Sequence, residues 1–276
     1  VPTAFVTHQL FIKTPFAQNV LEKTIGFFWK RYQEIWVPDF AGDINLSGTL
    51  SHRNPLPKTL ESKVHYLGPL SRMDSGKKSK EVSKVNKIKV LAIISGPEPQ
   101  RTLLEEKTLE QLKQCDGNHV VVGGRPESTQ QKMVLKTQQN GTLTHYPHLP
   151  QQELESLIAQ SEVVFCRSGY TTIMELYALQ QKGVVFVPTP GQTEQEYLCE
   201  HFQSRKVGPY HSQKELNIPA LLKEQAEGQY CGFSELQDKN RNSTQEQSTS
   251  LESFLANHPL LNTIAADVSG KKNTTS

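Results

Sequence analysis

Between residues 163 and 198 the apolar positions come in two short continuous runs separated by a periodic stretch. VVFC (163–166) and GVVFV (183–187) are β-branched and aromatic, the pattern of strands buried on both faces of a parallel sheet. Between them, TTIMELYALQQ sets Ile173, Leu176, Tyr177 and Leu179 at helical spacing. The segment predicts strand, polar turn, helix, strand, polar turn, helix. Its polar residues gather just after the strands, where parallel α/β sheets bind ligands.

The same patterning predicts elements elsewhere. PTAFVT (2–7) reads as a strand ending at His8-Gln9, 16–32 as a helix, EIWV (34–37) as a strand stopped by Pro38, 42–57 as loop, and 64–67 as a strand. Farther on, KVLAIIS (89–95), HVVVG (119–123) and TLTHY (142–146) predict strands. Helices are expected over 102–114, 128–138, from Pro150 to Gln160, and over 215–226. Residues 237–250 are too polar to pack and predict disorder, and 251–261 predicts a short amphipathic helix.

Alternation on both sides of a Lys- and Ser-rich interruption predicts an α/β protein of two doubly wound, Rossmann-like lobes. The expected division is 1–72, a linker at 73–87, a second lobe at 88–235, and a polar, disordered tail at 236–276. Because the chain opens Val-Pro-Thr-Ala-Phe-Val, without Met and already in a strand-like run, the first lobe is expected to be incomplete.

Composition narrows the chemistry. A formal net charge of +2 decides nothing about nucleic acid, and no nucleic-acid partner is expected. The four cysteines lack CxxC spacing and the histidines are scattered, so neither a metal site nor a disulfide framework is expected. Cysteines without paired spacing suggest reduced thiols in a cytoplasmic protein, no apolar run is long enough to span a membrane, and no signal-peptide pattern is present.

Three turns carry candidate chemistry. Ser95-Gly96-Pro97-Glu98-Pro99-Gln100-Arg101 joins a strand to a helix, where free N–H groups and the helix dipole favour a phosphate and Arg101 adds a charge. The alternative is a rigid connection, since its two prolines remove donors. Arg167-Ser168-Gly169 follows VVFC: Gly169 permits close backbone approach and Ser168 offers a hydroxyl, or both merely turn the chain. Glu175 either closes a capping box with Thr172 or grips neighbouring sugar hydroxyls. In Pro188–Glu196, Glu196 reads as a capping partner of Thr193, leaving Gln192, Glu194 and Gln195 to address hydroxyl-rich groups. His145 and His148 read as solvated strand-end residues, and His8 as a structural or surface one.

VVFCRSGYTTIMEL followed by VVFVPTPGQTEQEYL resembles the carboxyl-terminal domain of the GT-B glycosyltransferases related to the bacterial enzyme that adds N-acetylglucosamine to lipid I, a family 28-type domain. The likeness is strongest over 88–210 and looser over 1–72. It is closer still to bacterial members carrying SGPEPQR and PTPGQTEQEYL. The resemblance implies a hexosyltransferase without a cofactor, using a UDP-sugar as co-substrate and a lipid-linked or saccharide hydroxyl as acceptor. It also implies peripheral binding at the inner face of the membrane and a role in the cell envelope.

Carried over by motif, Glu175 would hold the ribose hydroxyls, and Ser168 and Gly169 with Arg167 and the Ser95, Gly96 and Arg101 turn would surround the diphosphate. Gln192, Glu194 and Gln195 would address the sugar, and backbone at His148 and Leu149 would meet the base. Arg72 would reach the phosphates, and His8 and Gln9 would line the acceptor side. SGPEPQR departs from the Gly-Gly-Ser-x-Gly pattern of the lipid I enzyme, and no catalytic base is assignable. Two other readings remain: a nonhydrolysing nucleotide-sugar epimerase, and a non-catalytic donor-binding subunit of a split transferase.

Overall fold

The computed structural model describes residues 3–12, 18–73, 87–128, 132–137, 141–228, 230–243 and 258. The chain divides into two units, Val1–Leu70 with Asn240–Ser276, and Ser71–Lys239. Of the expected linker, residues 74–86 lie outside the described residues.

The first unit carries β1 (Ala4–Val6), α1 (Gln18–Trp29), β2 (Glu34–Val37), α2 (Lys58–Glu61) and β3 (Val64–Tyr66). Its three strands are parallel, in the order β1-β2-β3. Alternation sorts the strand residues: Ile35 and Val37 are buried with Leu10, Phe11, Trp29 and Leu60. Glu34 and Trp36 take the opposite face, and His65 is the register partner of Trp36. The single turn of α2 falls below the length at which periodicity is legible. Just after β2, the buried Asp39 organises the loop: it accepts from the N–H groups of Leu46 and Ser47, both at 2.8 Å, and from His52 Nε2 at 3.2 Å. Burial alone would raise this carboxyl, but those hydrogen bonds outweigh it and hold the pKa below the ordinary value.

The second unit is built on a six-stranded sheet, β6-β7-β5-β4-β8-β9. Its elements run β4 (Ile88–Ile93), α3 (Gln100–Leu112), β5 (Asn118–Val122), β6 (Met133–Lys136), β7 (Thr142–Tyr146), α4 (Gln151–Gln160), β8 (Ser161–Cys166), α5 (Tyr170–Ala178), β9 (Val184–Phe186), α6 (Thr193–Ser204), α7 (Ile218–Glu227) and α8 (Gly232–Ser243). All pairs are parallel except β6 with β7. Leu104 and Leu112 of α3 and Ile218 and Leu221 of α7 join Val90, Ala92, Val121, Phe165 and Val185 in one core. This layered burial is the dominant stabilising term of such a domain.

Two expectations are corrected. Instead of a helix over 128–138, Met133–Lys136 forms an antiparallel edge strand on β7, pairing Met133 with His145 and Lys136 with Thr142. Antiparallel neighbours need only a tight connection, and Thr137 N–H closes it on the Gly141 carbonyl at 3.0 Å. Residues 237–243, expected to be disordered, continue α8, because Phe233 and Leu236 anchor its first turns in the interior. Beyond that helix only His258 is described, so the helix expected over 251–261 otherwise lies outside the described residues. No helix among the described residues is long and apolar enough to cross a membrane.

Candidate functional site

The five parallel strands of the second unit deliver their following turns to one edge: Ser95–Gln100 after β4, Gly123–Arg125 after β5, Pro147–Leu149 after β7, Arg167–Gly169 after β8 and Thr189–Gln192 after β9. The strand order runs outward from β4 in both directions, which puts the topological switch point, where such sheets bind ligands, between the β4 and β8 turns. The amino ends of α3, α5 and α6 come to that edge and bring the positive ends of three helix dipoles to it.

Arg167, expected at the ligand, instead ties these turns together. Its side chain is fully buried, and its five donor groups are engaged by the protein. Nε donates to the Ser95 carbonyl (3.4 Å), Nη1 to Val187 (3.3 Å) and Pro188 (2.8 Å), and Nη2 to the Gln100 carbonyl (3.2 Å) and Gln213 Oε1 (2.5 Å). Burial among neutral acceptors pushes its pKa down to about 10, still leaving the guanidinium charged at neutral pH. The residue is thus a cationic pin beneath the β4, β8 and β9 turns.

Ser168 is drawn inward as well. Its buried hydroxyl donates to the Gln195 carbonyl at 2.8 Å and accepts from Cys199 Sγ at 3.1 Å. Gln195 in turn accepts the Thr189 N–H at 2.8 Å and donates to Gln192 Oε1 at 2.6 Å, fixing the turn before α6. Gln192 caps α6 and stays exposed, and Glu194 lies half-buried in the first turn. Glu196 accepts from the Gly191 N–H at 3.3 Å, in keeping with a capping duty, although Thr193 is already inside the helix.

Glu175 does not close a capping box, because α5 begins at Tyr170 with Gly169 as its cap and Thr172 lies within the helix. Its nearly buried carboxylate instead accepts from Arg72 Nη2 at 2.8 Å. The Arg72 carbonyl is held by Gln151 Nε2 at 2.8 Å, which fixes the backbone while the guanidinium remains exposed. A side chain at Gly169 would meet nothing within 4 Å, so open space lies beside the start of α5.

In the β4 turn, Ser95 is half-buried and Gly96 exposed, with Gly96 in the left-handed region at φ 110°. Arg101 is committed to protein partners: it pairs with Glu98, donates to the Gly123 carbonyl at 3.1 Å and lies 3.7 Å from Glu105. His148 is exposed and Leu149 buried. His145 is not the solvated strand-end residue expected: its ring is buried 2.6 Å from Glu105, which also pairs with Arg125. Burial would raise the Glu105 carboxyl, yet bonds from His145 and Arg125 prevail and lower it. In the first unit, His8 and Gln9 follow β1, and the Gln9 N–H is held by Thr7 Oγ1 at 3.1 Å.

Sequence reasoning missed Glu105, Gln213 and the Gly123-Gly124 turn. The glycine pair after VVV was the available signal: a Cβ on Gly124 would stand 2.5 Å from the Ile94 carbonyl oxygen, and its φ is 66°. Gln213 lies in a loop without periodicity and is recognisable only through its bond to Arg167.

Comparison with known proteins adds three findings. A model of the glycosyltransferase family 28 carboxyl-terminal domain matches residues 98–254, more than half of the chain. No curated protein sequence is similar enough to the chain to count as a match. Among solved structures, MurG of Acinetobacter baumannii is similar at 13% identity and a TM-score of 0.51, covering 96% of this chain and 68% of its own. The glycosyltransferase of kitacinnamycin is similar at 16% and 0.54, covering 88% and 56%. The spinosyn forosaminyltransferase SpnP is similar at 14% and 0.50, covering 92% and 64%. The chain therefore spans a little over half to about two thirds of the length of these structures, and at these identities the likeness establishes the fold, that of GT-B glycosyltransferases.

Proposed function

The chain belongs to glycosyltransferase family 28 through its carboxyl-terminal domain, and from that membership we propose that it moves a hexosyl or N-acetylhexosaminyl group from a UDP-sugar to a hydroxyl of a lipid-linked or saccharide acceptor. The observation that carries this reading is the Glu175 carboxylate, nearly buried in the second turn of α5, the helix whose start at Gly169 borders open space. A carboxylate so placed suits the two vicinal hydroxyls of a ribose, and the positive end of a helix dipole suits a diphosphate.

In this reading the acceptor hydroxyl oxygen attacks the anomeric carbon and gives up its proton to solvent, the bond from that carbon to the diphosphate breaks, and UDP departs with the electron pair. Charge growing on the leaving phosphate is offset by Arg72 and by the amino ends of α3 and α5. Arg167 and Arg101 act at one remove: their donors are spent on the protein, so they hold the turns rather than the ligand. Ser168 contributes its N–H more readily than its hydroxyl, which is bonded to Gln195. Gln192, Glu194 and Gln195 would face the sugar, the backbone at His148 and Leu149 the base, and His8 and Gln9 the acceptor. Binding at the cytoplasmic face of the membrane would be peripheral.

Incubation with UDP-sugars alone, followed by NMR of the products, tests the reaction class. Slow release of UDP and free sugar is expected. Recovery of an isomerised nucleotide-sugar would instead point to an epimerase, and a donor that binds but stays unchanged even with saccharide and lipid-linked acceptors supplied would point to a binding subunit.

A further inference from the structure

The polar face of the three-stranded sheet in the first unit gathers three ligating side chains that are far apart in the sequence. Glu34 of β2 and His65 of β3 lie on the same face, since His65 is the register partner of Trp36, two residues beyond Glu34. His258, itself buried, lies over them: its Nε2 is 3.0 Å from Glu34 Oε2, and His65 Nε2 is 4.0 Å from the same oxygen. The three donor atoms all lie within 4.8 Å of one another. Trp36 Nε1 donates to Glu34 Oε2 at 2.8 Å, and the His258 ring stands edge-on to those of Trp36 and His65 at 5.5 and 5.9 Å.

We infer that Glu34, His65 and His258 form a binding site for one divalent transition-metal ion of the zinc class. Two imidazoles and one carboxylate are the donor set of three-ligand zinc sites, whose fourth position is left to water. Bonds of about 2.0–2.2 Å to a tetrahedral ion set donor atoms roughly 3.3 Å apart. The Glu34–His258 separation is already close to this, and the longer edges contract by side-chain rotation. His65 is about one-third exposed, giving the ion a way in, while the Trp36 hydrogen bond to the same carboxylate oxygen holds Glu34 in place. The ion would join His258 to β2 and β3. This site is independent of the donor-binding reading, because no residue is shared.

Cobalt(II), a coloured stand-in for zinc, titrated into the whole chain at neutral pH tests the site. One equivalent should bind with visible d–d absorption and be displaced by zinc. Glu34→Gln, His65→Ala and His258→Ala should each weaken binding by more than about a hundredfold, and His211→Ala should leave it unchanged. Should a histidine variant fail to fold, the isosteric Glu34→Gln decides, with circular dichroism of the metal-free protein as its control. Absence of cobalt and zinc binding by the wild type, or equal binding by wild type and Glu34→Gln, would overturn the assignment and leave a hydrogen-bonded histidine–glutamate cluster.

Discussion

Arg72 donates to Glu175 across 2.8 Å, and the two side chains differ sharply in exposure: 70% for the arginine, 11% for the glutamate. An ion pair with one partner so exposed contributes at most about 1 kcal/mol to stability. Its interest lies in function, because a ribose bound to Glu175 and a phosphate drawn to Arg72 would each compete for one half of the pair. Arg72→Ala is accordingly expected to leave the melting temperature within a few degrees of wild type. It should weaken binding of UDP more than binding of uridine, as isothermal titration of both ligands would show. Equal losses for the two would place Arg72 away from the phosphates.

Arg167 makes the opposite prediction. Removing its guanidinium takes the donor from three buried acceptors, the carbonyls of Val187 and Pro188 and Gln213 Oε1. Each unsatisfied group costs about 1–3 kcal/mol, so Arg167→Met should destabilise the second unit by at least about 3 kcal/mol. Urea unfolding measures this directly. A near-neutral variant with lost UDP binding would return Arg167 to the ligand.

Two glycines at the same sheet edge should behave differently. Gly124→Ala meets the Ile94 carbonyl and also bears the cost of a left-handed φ, so it should unfold at lower temperature. Gly169→Ala enters open space at a φ of −67°, an ordinary value for alanine, and should fold as wild type. If a diphosphate approaches the start of α5, Gly169→Ala will nevertheless bind UDP less tightly. The contrast is read by differential scanning calorimetry with and without UDP.

The Glu105 carboxyl sets a pH dependence. Bonds from His145 and Arg125 lower its folded pKa below the ordinary 4.5, against the effect of burial. Its contribution to stability is therefore present above pH 4.5 and is lost as pH falls through the folded value. Glu105→Gln should be less stable than wild type near pH 7, and the gap should close in that acidic window. Urea midpoints from pH 7 down to pH 3 check the sign, and a gap that widens on acidification would contradict it.

The sheet was legible where burial on both faces writes itself as continuous apolar runs: KVLAIIS, VVFC and GVVFV all form strands. Met133–Lys136 was not, because a short edge strand lacks that signature and takes its structure from pairing with β7. The site was legible as a place, since polar turns after buried strands must share one edge. It was less legible as individual roles. Arg167 and Ser168 look alike in sequence as polar residues leading into a glycine, and only the fold shows that both turn inward while Gly169 faces open space. The cluster of Glu34, His65 and His258 has no sequence spacing to betray it, because strand register and chain return create it.

The central claim is a nucleotide site built around Glu175. Calorimetric titration of UDP into wild type and Glu175→Ala tests it most directly, with thermal melts confirming that both are folded. Loss of hydrogen bonds from a ribose to the carboxylate is expected to cost about 2–3 kcal/mol, a drop of roughly 30- to 150-fold in affinity. Equal UDP affinity in the two proteins would contradict the account.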